Sequence, residues 1–292
     1  MEPEGPKPKP MFAPGRIMIY AVLIVTSVYY LVPLYVMIIT SVKDLDAIRD
    51  GNIFIPTSNP TFYPWVKAWS EACTGLKCTG LAPGFFNSVM ITVPSVIVSI
   101  AVASVSGYSL AKWPFRFSEV FFTILIVGSF IPYQVFLYPL VIITREMGIY
   151  STLYAVIFVH TVFGLPILTL LFRNYFAALP DEIFRAARVD GAGYWRILWQ
   201  VIAPVSIPIF TVAVILQVTG IWNDFLFGVI YAGPTNYPMT VQLNNIVNSL
   251  QGVKEYNVDM AATILTGLVP LSIYFLSGKY FVRGIAAGAV KG

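Results

Sequence analysis

Two charge-capable side chains fall inside the long apolar stretches of this chain: His160, its only histidine, and Asp224, within Thr219-Gly220-Ile221-Trp222-Asn223-Asp224-Phe225. A charge in lipid costs at least ~2.5 kcal/mol, so such residues mark either a passage or a specific packing need. In one reading Asn223 and Asp224 line a passage and hydrogen-bond the hydroxyls of a polar solute while Trp222 stacks on it. In the other the stretch is a packed helix end, where Asp224 caps a neighbour or meets water. His160 reads as a hydrogen-bonded residue between helices. Cys73 and Cys78 enclose Thr74-Gly75-Leu76-Lys77; they form a bridge if that side is oxidising, or two free thiols in a surface turn. Two cysteines without nearby histidine supply too few ligands for a metal. No Gly-x-x-x-x-Gly-Lys-Ser/Thr is present, and Gly278-Lys279 lacks both the upstream glycine and the following hydroxyl. The chain therefore cannot cradle ATP phosphates by that device, and with no His-Glu-x-x-His either, an enzyme is not expected.

The elements that must position these residues are membrane spans. Of 292 residues, 57% are hydrophobic and 11% charged, with a mean hydropathy of +0.76. A soluble domain carries about 25% charge, so lipid must be the solvent for most of this chain. The lysines and arginines are dispersed between apolar runs, which excludes nucleic-acid binding. The runs are continuous rather than alternating, hence helices and not barrel strands. They predict six spans at about 17–42, 85–111, 120–144, 147–172, 205–230 and 260–278, with a Pro-rich tail over 1–16, an outer insertion over 43–84 and a connection over 173–204. The first span is too long for a signal peptide and reads as retained. Of the lysines and arginines, 12 fall on the side of the termini and 6 on the other, which places both termini in the cytoplasm. The outer insertion, with Trp65 and Trp69, predicts a small subdomain or an interfacial helix.

The 173–204 connection is the most informative part. Pro180 suits a first helical turn, and Asp181 and Glu182 put negative charge at the positive end of the dipole. Ile183, Phe184 and Ala187 share one face, with Arg185 and Arg188 toward the other. Asp190-Gly191 allows a turn, after which Tyr194, Trp195, Leu198, Trp199 and Ile202 repeat as an apolar stripe. Two short amphipathic helices result, which need headgroups, their own spans or a partner's groove. A basic loop that merely fixes topology satisfies the same pattern.

This segment resembles the EAA loop of ABC-importer permeases, whose pattern is E-A-A, three residues, G, nine residues, then I-x-L-P. Ala186, Ala187, Gly191 and Pro204 match in register, flanked by Asp181-Glu182 and Asp190-Gly191-Ala192; Arg185 stands where the family usually has Glu, with Val201 for Ile and Ala203 for Leu. With the span pattern and the Gly-rich tail over 284–292, the chain is similar to the six-span partner of maltose-type carbohydrate permeases. The resemblance implies an all-α polytopic membrane protein, a type I ABC importer permease with a cytoplasmic coupling-helix loop, in the plasma (inner) membrane. It implies a homologous second permease, two ATPase subunits that use ATP and Mg, an external sugar-binding protein and no cofactor on this chain. Asp181, Glu182, Arg185, Ala186, Ala187, Asp190, Gly191, Ala192 and Pro204 would then meet the ATPase, and Gly288 and Lys291 of the tail would reach the interface between the ATPases. The W-N-acid-F stretch is shared in the family irrespective of substrate, which favours the packed-end reading of Asp224. The short two-cysteine insertion looks most like monosaccharide systems for glucose or mannose; disaccharide, trehalose and glycerol phosphate importers are the alternatives. An ion-coupled secondary transporter would need inverted repeats and several buried acids, and the chain has neither.

Overall fold

The computed structural model describes residues 14–74, 77–249 and 253–289, with side chains through Ser277. The Pro-rich segment before Pro14 and Lys291 lie outside the described residues. The chain divides into two compact units, Met1–Ala68 with Leu250–Ile264 and Trp69–Ser249 with Leu265–Gly292. Four helices are long and apolar enough to cross a bilayer, and two further helix pairs qualify only if each bent pair counts as one span.

The first unit opens on α1 (Pro14–Ser41), which is exposed along its apolar length from Ile17 to Tyr35. A helix apolar on every side requires lipid or another membrane chain around it. The chain after α1 then forms α2 (Leu45–Arg49) and the amphipathic α3 (Tyr63–Ser70). Lys43 is buried, donating to the Asn52 carbonyl at 2.9 Å, and the Asn257 amide donates to the Lys43 carbonyl at 2.9 Å. Ion pairs join Lys67 to Glu255 at 2.6 Å and Lys254 to Asp259 at 2.9 Å.

The second unit is organised around α4 (Ala82–Lys112) and α7 (Leu153–Ala178). Every fourth residue of α4 from Ser95 through Ser99 and Ala103 to Gly107 is small and buried, the spacing that lets membrane helices approach closely. A Cβ on Gly107 would stand 2.6 Å from the Phe172 Cβ and 2.8 Å from the Arg173 nitrogen. Gln217 donates its amide to Ser99 Oγ at 2.9 Å, tying in α11 (Ile207–Trp222).

Two expected spans are broken. The third divides into α5 (Ser118–Ser129) and α6 (Leu137–Glu146), with a single 3-10 turn before α6 and a 96° bend between them. Pro132 has no N–H and disfavours helical backbone at Ile131. The fifth was expected to run over 205–230; instead α11 ends at Trp222, and the chain resumes as α12 (Leu226–Tyr231) and α13 (Met239–Val247). Asp224 competes with helical continuation because its carboxylate takes the Gly228 N–H at 3.1 Å, in the first turn of α12. Cys73 and Cys78 are joined as a disulfide across a turn closed by the Thr74 N–H and the Lys77 carbonyl at 2.8 Å. The last helix, α14, spans Tyr256–Ala289 and contains the backbone of Gly288.

Candidate functional site

Within 173–204, α8 (Asp181–Val189) starts directly after Pro180 with Asp181 and Glu182 in its first turn. Phe184 and Ala187 are buried, while Arg185, Ala186 and Arg188 face out. Gly191 takes φ +74°. The Ala192 N–H reaches the Ala187 carbonyl at 2.9 Å and the Gly191 N–H the Arg188 carbonyl at 3.0 Å, a Schellman turn that satisfies two end carbonyls of α8. Asp190 is exposed beside it.

The second helix departs from the expected stripe. It begins as α9 (Tyr194–Arg196) and passes into a π-helical segment, Ile197–Ile202. Bonding from i to i+5 puts more residues in each turn, so one-and-four spacing no longer marks one face. Ile197, Leu198 and Ile202 are fully buried, whereas Trp195 is 59% and Trp199 46% exposed. Pro204 lies in a last turn, α10 (Ala203–Val205), before an 82° bend into α11. Pro204 and Pro208 flank that bend, and neither can donate a helical hydrogen bond.

Residues at the end of α4, which sequence reasoning did not single out, hold this helix pair. Lys112, whose side chain is 9% exposed, pairs with Asp181 Oδ1 at 2.6 Å, donates to the Leu179 carbonyl at 3.0 Å and lies 4.4 Å over the Phe184 ring. Its ammonium holds the Asp181 carboxyl below the usual carboxylate range. The Arg188 guanidinium lies 4.2 Å over Trp113, and Trp113 donates to the Tyr108 hydroxyl at 2.7 Å. Tyr108 stacks on Phe184 and packs against Tyr194 with centroids 4.9 Å apart, and the Tyr194 and Ser109 hydroxyl oxygens are 2.7 Å apart. The Lys112-Trp113 pair closing a long apolar run was the available signal; its partners 69 residues away were not. Glu182 pairs with Arg185 at 3.0 Å on the exposed face.

A second feature is a cavity of about 840 Å3 between α5, α6, α7 and α11. Its polar edge is His160, Asn223 and Asp224, with His160 Nε2 3.6 Å from Asp224 Oδ2. Its apolar wall includes Tyr133, Phe163 and Phe227, with Tyr133 and Phe227 centroids 5.5 Å apart and Phe163 stacked on Phe227 at 5.2 Å. The 130–132 break contributes part of the lining. Asp224 both caps α12 and lines the cavity. Trp222 does not join it. That indole is buried, donates to the Thr266 carbonyl at 3.0 Å and meets Phe85 edge-on. Among the described residues no group of three or more His, Cys, Asp or Glu is placed to hold a metal.

The family described as "Binding-protein-dependent transport system inner membrane component" matches residues 95–287. The chain belongs to this family: it is a multi-pass membrane transport subunit, not an enzyme. It is 37% identical over 282 residues to the Pyrococcus horikoshii protein named "Probable ABC transporter permease protein PH1216", covering 96% of this chain and 98% of that one. It is 32% identical to the alpha-glucoside transport system permease protein AglG of Rhizobium meliloti, over 87% of this chain and 67% of that one. The fold is also similar to a crystallised bacterial ABC transporter that imports the acidic polysaccharide alginate, with TM-score 0.74 and 20% identity over 94% of this chain and 100% of that one.

Proposed function

We propose that this chain is one of two permease subunits of an ATP-driven carbohydrate importer. It would pair with a homologous permease, seat an ATPase subunit through Asp181, Glu182, Arg185, Ala186, Ala187, Asp190, Gly191, Ala192 and Pro204, and receive sugar from an external binding protein. ATP and Mg are used in the ATPase subunits, and Gly288 and Lys291 of the tail approach the interface between them. Both termini are cytoplasmic. The observation that carries this reading is the helix pair at 181–202: an internally braced element that leaves Trp195 and Trp199 uncovered, as a surface awaiting a groove would. The sugar passes the 840 Å3 cavity, where Asn223, Asp224 and His160 offer hydrogen bonds and the Tyr133–Phe227 wall offers ring faces.

Within carbohydrates we propose a monosaccharide such as glucose or mannose, on the short outer insertion closed by Cys73 and Cys78. An α-glucoside is the second reading, favoured by the likeness to AglG. The membrane complex purified with its neighbouring gene products, in proteoliposomes holding external binding protein, tests both. Uptake of labelled glucose that stops on ATP depletion and survives an uncoupler is expected. Uptake that stops with the uncoupler and survives ATP depletion refutes the importer, and competition by maltose but not glucose replaces the monosaccharide.

A further inference from the structure

We propose that the cytoplasmic end of α4 is a rigid strut: Lys112, Trp113 and Tyr108 join it to the 181–196 helix pair, so that α4 moves with that pair as one body. This rests on the importer reading for the origin of the movement, a partner ATPase.

The covalent routes into the membrane are weak levers. Leu179 and Pro180, between α7 and α8, are extended at ψ 140° and 132°, a two-residue joint without helical bonding. The other route passes a π-helix and an 82° bend before it reaches α11. Lys112 spans the first joint, binding the Leu179 carbonyl before Pro180 and the Asp181 carboxylate after it. An ammonium with 9% of its side chain exposed that holds a carbonyl, a carboxylate and a ring together loses all three contacts at once when withdrawn. Arg188 on Trp113 holds the far end of α8, and Tyr194 beside Tyr108 and Ser109 holds α9. The line continues into the core. Five residues up α4, Gly107 lies against Phe172 of α7, and Ser99 accepts Gln217 of α11. Close-packed helices of this kind shift between discrete arrangements rather than deform continuously.

The test uses the complete importer in proteoliposomes and reads sugar taken up per ATP hydrolysed. Lys112→Met keeps the apolar stem on Phe184 and removes the ammonium. The expected result is a fall of about fivefold in that ratio, with the ATPase subunits still co-purifying, and recovery in Lys112→Arg. Adding Arg188→Gln to Lys112→Met should cost less than the two single losses together, since both side chains brace α8 against the end of α4. An unchanged ratio in Lys112→Met, or fully additive losses, overturns the strut. Should Lys112→Met not assemble, Arg188→Gln decides, because it takes an exposed guanidinium off the Trp113 ring: a lowered ratio supports the strut and an unchanged one overturns it. An unaltered chain that retains no ATPase refutes the importer reading instead.

Discussion

Replacing Gly191 separates backbone geometry from bulk at the turn between α8 and α9. Gly191 stands at φ +74°, and no atom lies within 4 Å of where a Cβ would be placed. An L side chain there meets open space but an unfavourable backbone, at roughly 1–2 kcal/mol. That is a factor of about 5–30 between the closed Schellman turn and a frayed α8 end. Because the space is open, Gly191→Ala and Gly191→Leu should be impaired alike. Gly191→Asn should be milder, since asparagine tolerates the left-handed region, and Gly191→Val worse, since it is β-branched. Trypsin cleavage after Arg188, in the last turn of α8, reports the frayed population. It should quicken by about the same factor in the Ala and Leu variants, in parallel with loss of ATP-driven uptake and with membrane insertion unchanged. If Leu blocks uptake, Ala does not, and tryptic rates stay at the wild-type value, size at a partner interface matters and the turn argument is wrong.

Gly107→Ala should lower the unfolding temperature by forcing α4 from α7, since the new Cβ would stand 2.6 Å from the Phe172 Cβ; overpacking of this kind costs about 1–3 kcal/mol, and an unchanged transition refutes it. Asp224→Asn retains an acceptor for the Gly228 N–H and should leave folding and sugar preference nearly as they are; a large change of preference in competition uptake would make the carboxylate a selector. Lys112 depresses the Asp181 carboxyl, so the stability it contributes is complete above the usual carboxylate value of about 3.9 and fades as pH falls through the lower folded-state value. The gap in unfolding temperature between wild type and Asp181→Asn should therefore narrow on acidification toward pH 3; a widening gap reverses the sign.

Several features were legible in the residues themselves because their causes act within a few positions. Uncharged apolar runs specify the four helices long enough to cross a bilayer, though not the breaks within the third and fifth expected spans. Pro180 with Asp181 and Glu182 starts α8, Phe184 and Ala187 take its buried face, and Gly191 supplies the positive φ that ends it. Other features depend on groups distant in the chain. Periodicity put Trp195 and Trp199 with Leu198, but the π-helical turn, held by the packing of Ile197, Leu198 and Ile202, leaves both tryptophans outside. The residues around Trp222 allowed either a passage wall or a packed helix end, and only the fold shows its N–H on the Thr266 carbonyl. The Lys112–Asp181 pair and the aromatic wall around His160 and Asp224 have no local signature, because partners 69 and 64 residues apart meet only when α4, α7 and α11 pack. Local backbone preference and transfer into lipid act on each segment by itself, so sequence determines which segments are helical and where they turn. Which side chains meet is set by close approach between segments, and that exists only in the folded chain.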